Sequence, residues 1–225
     1  MSDTDSFIEE VTEEVRRDRM YAYLRRYGWL GALAVVLIVG GAAFTEYRKA
    51  QTRAQAEALG DAVLAAMAEP TPAARQARLV GIEPQTPGTI AVINMMTASE
   101  AVAAGDKEAA IAQLEAASIN VEAPEVYRQI AAFKLLVMQA DSIDAASRRQ
   151  QLEALAQPGQ ALSFLAQEQL ALLDIAEGNT QEAVTRLQNI IQAAGVSPDL
   201  QQRALQVIVS LGETPDVENL PAAGN

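Results

Sequence analysis

Residues 27–45 run for nineteen positions without a charge, and most of them are Leu, Val, Ile, Ala or Gly. No other part of the chain makes this demand on its surroundings. A helix rises about 1.5 Å per residue, and a bilayer core of about 30 Å takes roughly 20 apolar residues. The run therefore has the length of a membrane span. A core helix of a soluble domain would carry a polar stripe, and this run has none. Tyr27 and Trp29 stand at one end and Tyr47 at the other, where amphipathic rings favour the headgroup level. Trp29, Leu33, Val36, Ile38 and Phe44 are the expected lipid-facing anchor residues.

A cleaved signal peptide is the competing reading, since Gly41 and Ala43 have the small size and spacing of a cleavage site. The leader argues against it. It is long and acid-rich where a signal peptide is short and basic, and the apolar run exceeds the usual core of about 7–15 residues. An uncleaved anchor is the expectation. Arg16, Arg17, Arg19, Arg25 and Arg26 precede the run, and Arg48, Lys49 and Arg53 follow it. Acids weigh little in this rule, so the bias predicts an amino terminus in the cytoplasm and a carboxy-terminal domain across the membrane.

Residues 46–225 carry 22 acids and 12 bases, a net charge of −10. This argues against nucleic acid and against adhesion along anionic lipid. The chain has no Cys and no His. Disulfides, thiolate metal sites, thiol nucleophiles and the usual base near neutral pH are thereby excluded. Asp141 with Asp144 and Glu122 with Glu125 are the nearest approach to paired carboxylates, and their positions beside breaks suit helix capping. No phosphate-binding or nucleophile-elbow motif occurs. The expectation is a protein that binds without catalysis, with no cofactor, no metal and no small-molecule substrate.

Residues 1–26 form a charged tail. Within it Ser6 and Glu9 have capping-box spacing, and Phe7, Ile8, Val11 and Val15 share a helical face. Beyond the anchor the chain is Ala-rich, helical in pattern and regularly broken. Breaks fall at 69–72, 84–88, Gly105-Asp106, Pro124, Pro158-Gly159, Gly178-Asn179 and Ser197-Pro198. They predict a helix over 46–69 and about eight more of ordinary length, the last starting with Ser197 as cap and Pro198 in its first turn. The domain spans 46–212, and the polar tail 213–225 is expected to be disordered.

Two stretches of this domain match at an offset of 73 residues, ASEAVAAGDKEAAIAQLEAA from Ala98 and ALLDIAEGNTQEAVTRLQNI from Ala171. Both turn at a glycine, Gly105 or Gly178. Both place alanine five residues later, at Ala110 or Ala183, and leucine at Leu114 or Leu187. Each is the pattern of a helical hairpin whose small residues allow close approach. The offset is about two tetratricopeptide periods, so a middle unit is expected near 126–152, turning at Ala140-Asp141 and packing through Ala145 or Ala146. The repeat resembles the tetratricopeptide pattern. It departs from it at Asn94 and Gln167, where Trp is usual, at Ala101 and Asp174, where Tyr is usual, and in the placement of Pro124 and Pro198. The fold class expected is all-α, one transmembrane helix followed by a tetratricopeptide-like α-solenoid of hairpins.

The hairpin register gathers Val92, Met95, Val102, Tyr127, Ile130, Val137, Leu165, Leu172 and Ile175 on one apolar face. Two uses of that face stand open: a groove for a partner, in which Met is an adaptable contact, or core.

The order of tail, span and Ala-rich repeat, with the segments GWLGALAVVLIVGGAAFTEYRKAQ and GDKEAAIAQLEAA, resembles the ancillary Sec translocon subunit family of Gram-negative bacteria. The resemblance implies a single-pass protein of the bacterial inner membrane with a periplasmic repeat domain. Its implied partners are translocon subunits, a periplasmic chaperone and exported chains. A structural or assembly subunit of another inner-membrane complex is the alternative.

Overall fold

A computed structural model describes the backbone of residues 3–217 and the side chains of residues 25–217. Among these residues every regular element is an α-helix: α1 (Asp3–Met67), α2 (Pro72–Val80), α3 (Pro87–Ala104), α4 (Lys107–Ile119), α5 (Glu125–Met138), α6 (Ala145–Leu155), α7 (Ser163–Ala176), α8 (Thr180–Gln192) and α9 (Pro198–Ser210). The chain divides into two compact units, residues 1–60 and 61–225.

The first unit is helical from Asp3. The proposed stripe of Phe7, Ile8, Val11 and Val15 lies outside the residues whose side chains are described. Over residues 27–45 the helix buries nothing. Trp29 is 63% exposed and Ile38 71%, and Leu33, Val36 and Phe44 are exposed as well. A core helix would be covered; this segment is long and apolar enough to cross a membrane, and it is the one such segment among the described residues. Its ends carry cations stacked on rings, Arg26 5.9 Å from the Tyr27 centroid and Arg48 5.8 Å from that of Phe44. Such pairs suit the depth where a hydrocarbon core gives way to headgroups.

In the second unit each helix from α2 onward packs on its sequence neighbours, and α3 also reaches α5. The predicted breakers set the ends. Thr71 and Thr86 cap α2 and α3, with proline in the first turn of each, and Ser197 with Pro198 opens α9 in the same way. Gly105 and Gly178 take left-handed φ of 82° and 83°. At both, the amide of the next residue reaches back to the same point on the preceding helix, Asp106 N–H to the Ala101 carbonyl and Asn179 N–H to that of Asp174.

The 73-residue offset extends well beyond these hairpins. Thr71 caps α2 at Ala74, and Asp144 caps α6 at Ser147. Leu79 and Leu152 are both fully buried, as are Ala110 with Ala183, Leu114 with Leu187 and Ala131 with Ala204. The domain is therefore a tandem pair of four-helix units, α2–α5 and α6–α9. The first has a core of alanines around Leu114. In the second, isoleucine and leucine are added, with Ile190 where the first has Ala117 and Leu200 where it has Tyr127. A smaller cluster of Leu136, Leu152, Ala156, Ala166 and Leu170 bridges α5 to α6 and α7.

This arrangement corrects the expected middle unit. Ala145 and Ala146 are exposed, and five residues separate Met138 from the α6 cap where one separates Ala104 from the α4 cap. The α6 cap is Asp144, not Asp141. Counted from that cap, the Ala110 position falls on Arg148, too large for close approach, so α5 and α6 join two units instead of forming a hairpin like α3–α4. Residues 213–217 run beside α8, where Gln188 bonds the Asp216 backbone on both sides, donating to its carbonyl at 2.6 Å and accepting from its N–H at 3.1 Å. Residues 218–225 lie outside the described residues.

Candidate functional site

A groove of about 570 Å³ opens between α3 and α5, with α4 at its base. Ala98, Val102, Leu114, Phe133 and Val137 give it an apolar lining, and Ser99, Lys107 and Lys134 supply its polar atoms. Small residues make the space. Ala98 and Ala101 are buried against α4 and place little bulk beside α5. Gly105 ends α3 without a side chain, and a Cβ there would meet nothing within 4 Å.

The face expected from the hairpin register is split. Val102 and Val137 are exposed and line the groove, while Val92 and Ile130 are half-buried. Met95 and Tyr127 pack against the core of the first unit, and Leu165 and Ile175 against that of the second. Leu172, 40% exposed, belongs to a second crevice, between α7 and α9.

That second crevice, of about 500 Å³, is the counterpart of the first at the 73-residue offset, but an ion pair lines it. Arg203 on α9 donates from two nitrogens to both oxygens of Glu168 on α7, at 2.8 and 2.9 Å. The hydrogen bond to Glu168 raises the Arg203 guanidinium above its ordinary value, against the opposing effect of burial. On the other side of α7, Asp174 receives Arg149 of α6 and Arg186 of α8. The bond to Asp174 is likewise the main cause that raises Arg149. In the first unit the comparable tie is Arg75 to Glu100, from α2 to α3 at 2.7 Å. Reading apolar periodicity alone misses these pairs; the signal present was Asp174 standing where Ala101 stands in the repeat, with Arg186 three residues past Ala183. Among the described residues no three of His, Cys, Asp and Glu gather as a metal ion would require.

No protein-family model, curated protein or solved structure matches this chain.

Proposed function

We propose that the chain is a membrane-anchored protein-interaction module. Residues 27–45 sit in the bilayer as an uncleaved anchor, and residues 46–212 form tetratricopeptide-like hairpins that receive a protein partner. The observation that carries this reading is the open apolar groove between α3 and α5, on a chain whose span is wholly uncovered. Packing between sequence neighbours supports the view of the domain as a short solenoid. An apolar groove between helices is a common receptor for an apolar peptide segment or partner helix. The reading contains no catalytic step, in keeping with a sequence that lacks His and Cys.

The excess of arginine before the span supports a cytoplasmic amino terminus and a domain on the far side. The resemblance of the anchor and of the GDKEAAIAQLEAA unit supports an ancillary place beside the Sec channel of a bacterial inner membrane. The domain there would meet a periplasmic chaperone and emerging chains. Copurification in mild detergent tests this. Recovery of channel subunits with a chaperone is expected; recovery of a respiratory or division complex in their place would assign the chain to that assembly instead.

A further inference from the structure

Residues 61–225 contain seven arginines and two lysines. Every arginine is engaged. Five form ion pairs with carboxylates, Arg128 donates to backbone carbonyls and Arg148 to Gln169. The lysines are Lys107, in the first turn of α4, and Lys134, on α5. Among the described residues neither makes an ion pair or a hydrogen bond, and both line the groove between α3 and α5. No acid lines it, although residues 46–225 as a whole carry −10. Asp106 and Glu108 bracket Lys107 in sequence but lie outside the lining, and the Asp106 carboxylate accepts the Ala109 N–H as the α4 cap.

The second unit serves as an internal comparison. At the 73-residue offset Met95 and Ile130 become Glu168 and Arg203, and Lys107 and Lys134 become Thr180 and Val207. One crevice holds an anion and a cation that satisfy each other. The other holds two cations at the edge of an apolar surface, with no anion of its own.

We infer that the groove between α3 and α5 takes a polypeptide segment that combines apolar side chains with Asp or Glu, its carboxylates on Lys107 and Lys134. The inference rests on the reading of the chain as a protein-interaction module. A purely apolar occupant would leave both ammonium groups without a counter-charge, and a basic one would be repelled. The two cations come from different helices, and a polypeptide can present a carboxylate to each, where a ligand with a single anionic head, such as a fatty acid, brings one charge for two. A lysine is a point charge on a flexible stem, and two of them accept carboxylates in varied geometry, as a receptor for varied segments requires.

Full-length protein in nanodiscs of neutral phospholipid is titrated into labelled synthetic peptides built from Leu with Glu, Leu with Gln and Leu with Lys, read by fluorescence anisotropy. The Leu–Glu peptide is expected to bind in a salt-sensitive way and the Leu–Gln peptide about tenfold more weakly. The double variant Lys107→Glu, Lys134→Glu should lose about tenfold for the Leu–Glu peptide and gain the Leu–Lys peptide, with an unchanged melting temperature because both side chains are exposed. Equal binding of the Leu–Glu and Leu–Gln peptides, indifference of the double variant, or binding of palmitate with no peptide bound would each overturn the inference. Copurification of partners that the double variant leaves intact would also overturn it while sparing the interaction-module reading.

Discussion

Arg149 and Arg186 hold opposite oxygens of one carboxylate, that of Asp174, each at 2.7 Å, and so tie α6 and α8 to the helix between them. The Asp174 side chain is 3% exposed, while the arginines are 24% and 30% exposed. Removing the carboxylate leaves Arg186 without an ion pair, while Arg149 keeps Glu177 at 2.7 Å. Asp174→Asn should cost about 2 kcal/mol in urea denaturation, below the range for fully buried pairs because water still reaches the arginines. Asp174→Ala with Arg149→Gln and Arg186→Gln should recover most of that loss. It copies the first unit, which has Ala101, Gln76 and Gln113 at the matching positions.

Met95 and Leu172 separate core from surface. Met95→Asp places a charge against the alanine core of the first unit and should cost about 3 kcal/mol. Leu172 already faces solvent at the edge of its crevice, so Leu172→Asp should stay within about 1 kcal/mol of the parent. Equal costs in paired thermal melts would mean that both positions are core.

Gly105→Ala and Gly178→Ala should be destabilising by about 1 kcal/mol each, and by the same amount. Both glycines have left-handed φ, and at neither would a Cβ meet an atom within 4 Å, so the penalty is backbone conformation alone. Asn at either position should cost less than Ala, because it tolerates that conformation better. A much larger loss at one site would reveal a contact made only there.

Acid should weaken the second unit through its Asp144 cap, which stands where the first unit has the hydroxyl of Thr71. Bonds from Ser147, its side chain and then its backbone N–H, hold the Asp144 carboxyl below its ordinary 3.8. The unfolded chain therefore takes up this proton first as pH falls. The contribution is fully present above about 3.8 and is lost as pH drops through the lower folded value. Asp144→Asn should flatten that part of the acid limb in urea midpoints measured from pH 5 downward. Thr71→Asn at the matched cap should leave its slope unchanged.

Protease added outside spheroplasts should digest the chain beyond Glu46 and spare residues 1–25, and the protein should stay in the membrane through an alkaline carbonate wash. Protection of the domain would reverse the orientation read from the arginines.

The helix boundaries were legible because they depend on local chemistry. Thr71, Thr86 and Ser197 before prolines, and glycines at the two tight turns, act within a few residues of themselves. Residues 27–45 were legible for a similar reason, since solvent preference accumulates along one segment. The duplication was half visible. Between α2 and α6 it rests on a capping residue and one buried leucine, with little composition in common, so it becomes evident only from burial. The groove was the least legible part. Its lysines are ordinary surface residues in sequence, and what distinguishes them is that the arginines around them are all engaged, a property of packing. Met95 and Val102 lie two turns apart in the same periodic pattern, yet one packs on the core and the other lines the opening.

The constant offset between the two four-helix units also bears on how the length of this protein can change. An in-frame deletion joining any residue of α2–α5 to the residue after its counterpart would restore every cap and turn at its proper spacing. An insertion by the same rule would lengthen the domain by a whole unit. Unequal exchange between the halves thus yields chains shortened or extended in steps of 73 residues, each with its helix ends intact. Such steps give copies in which the ion pair of one crevice and the open cations of the other can be inherited separately.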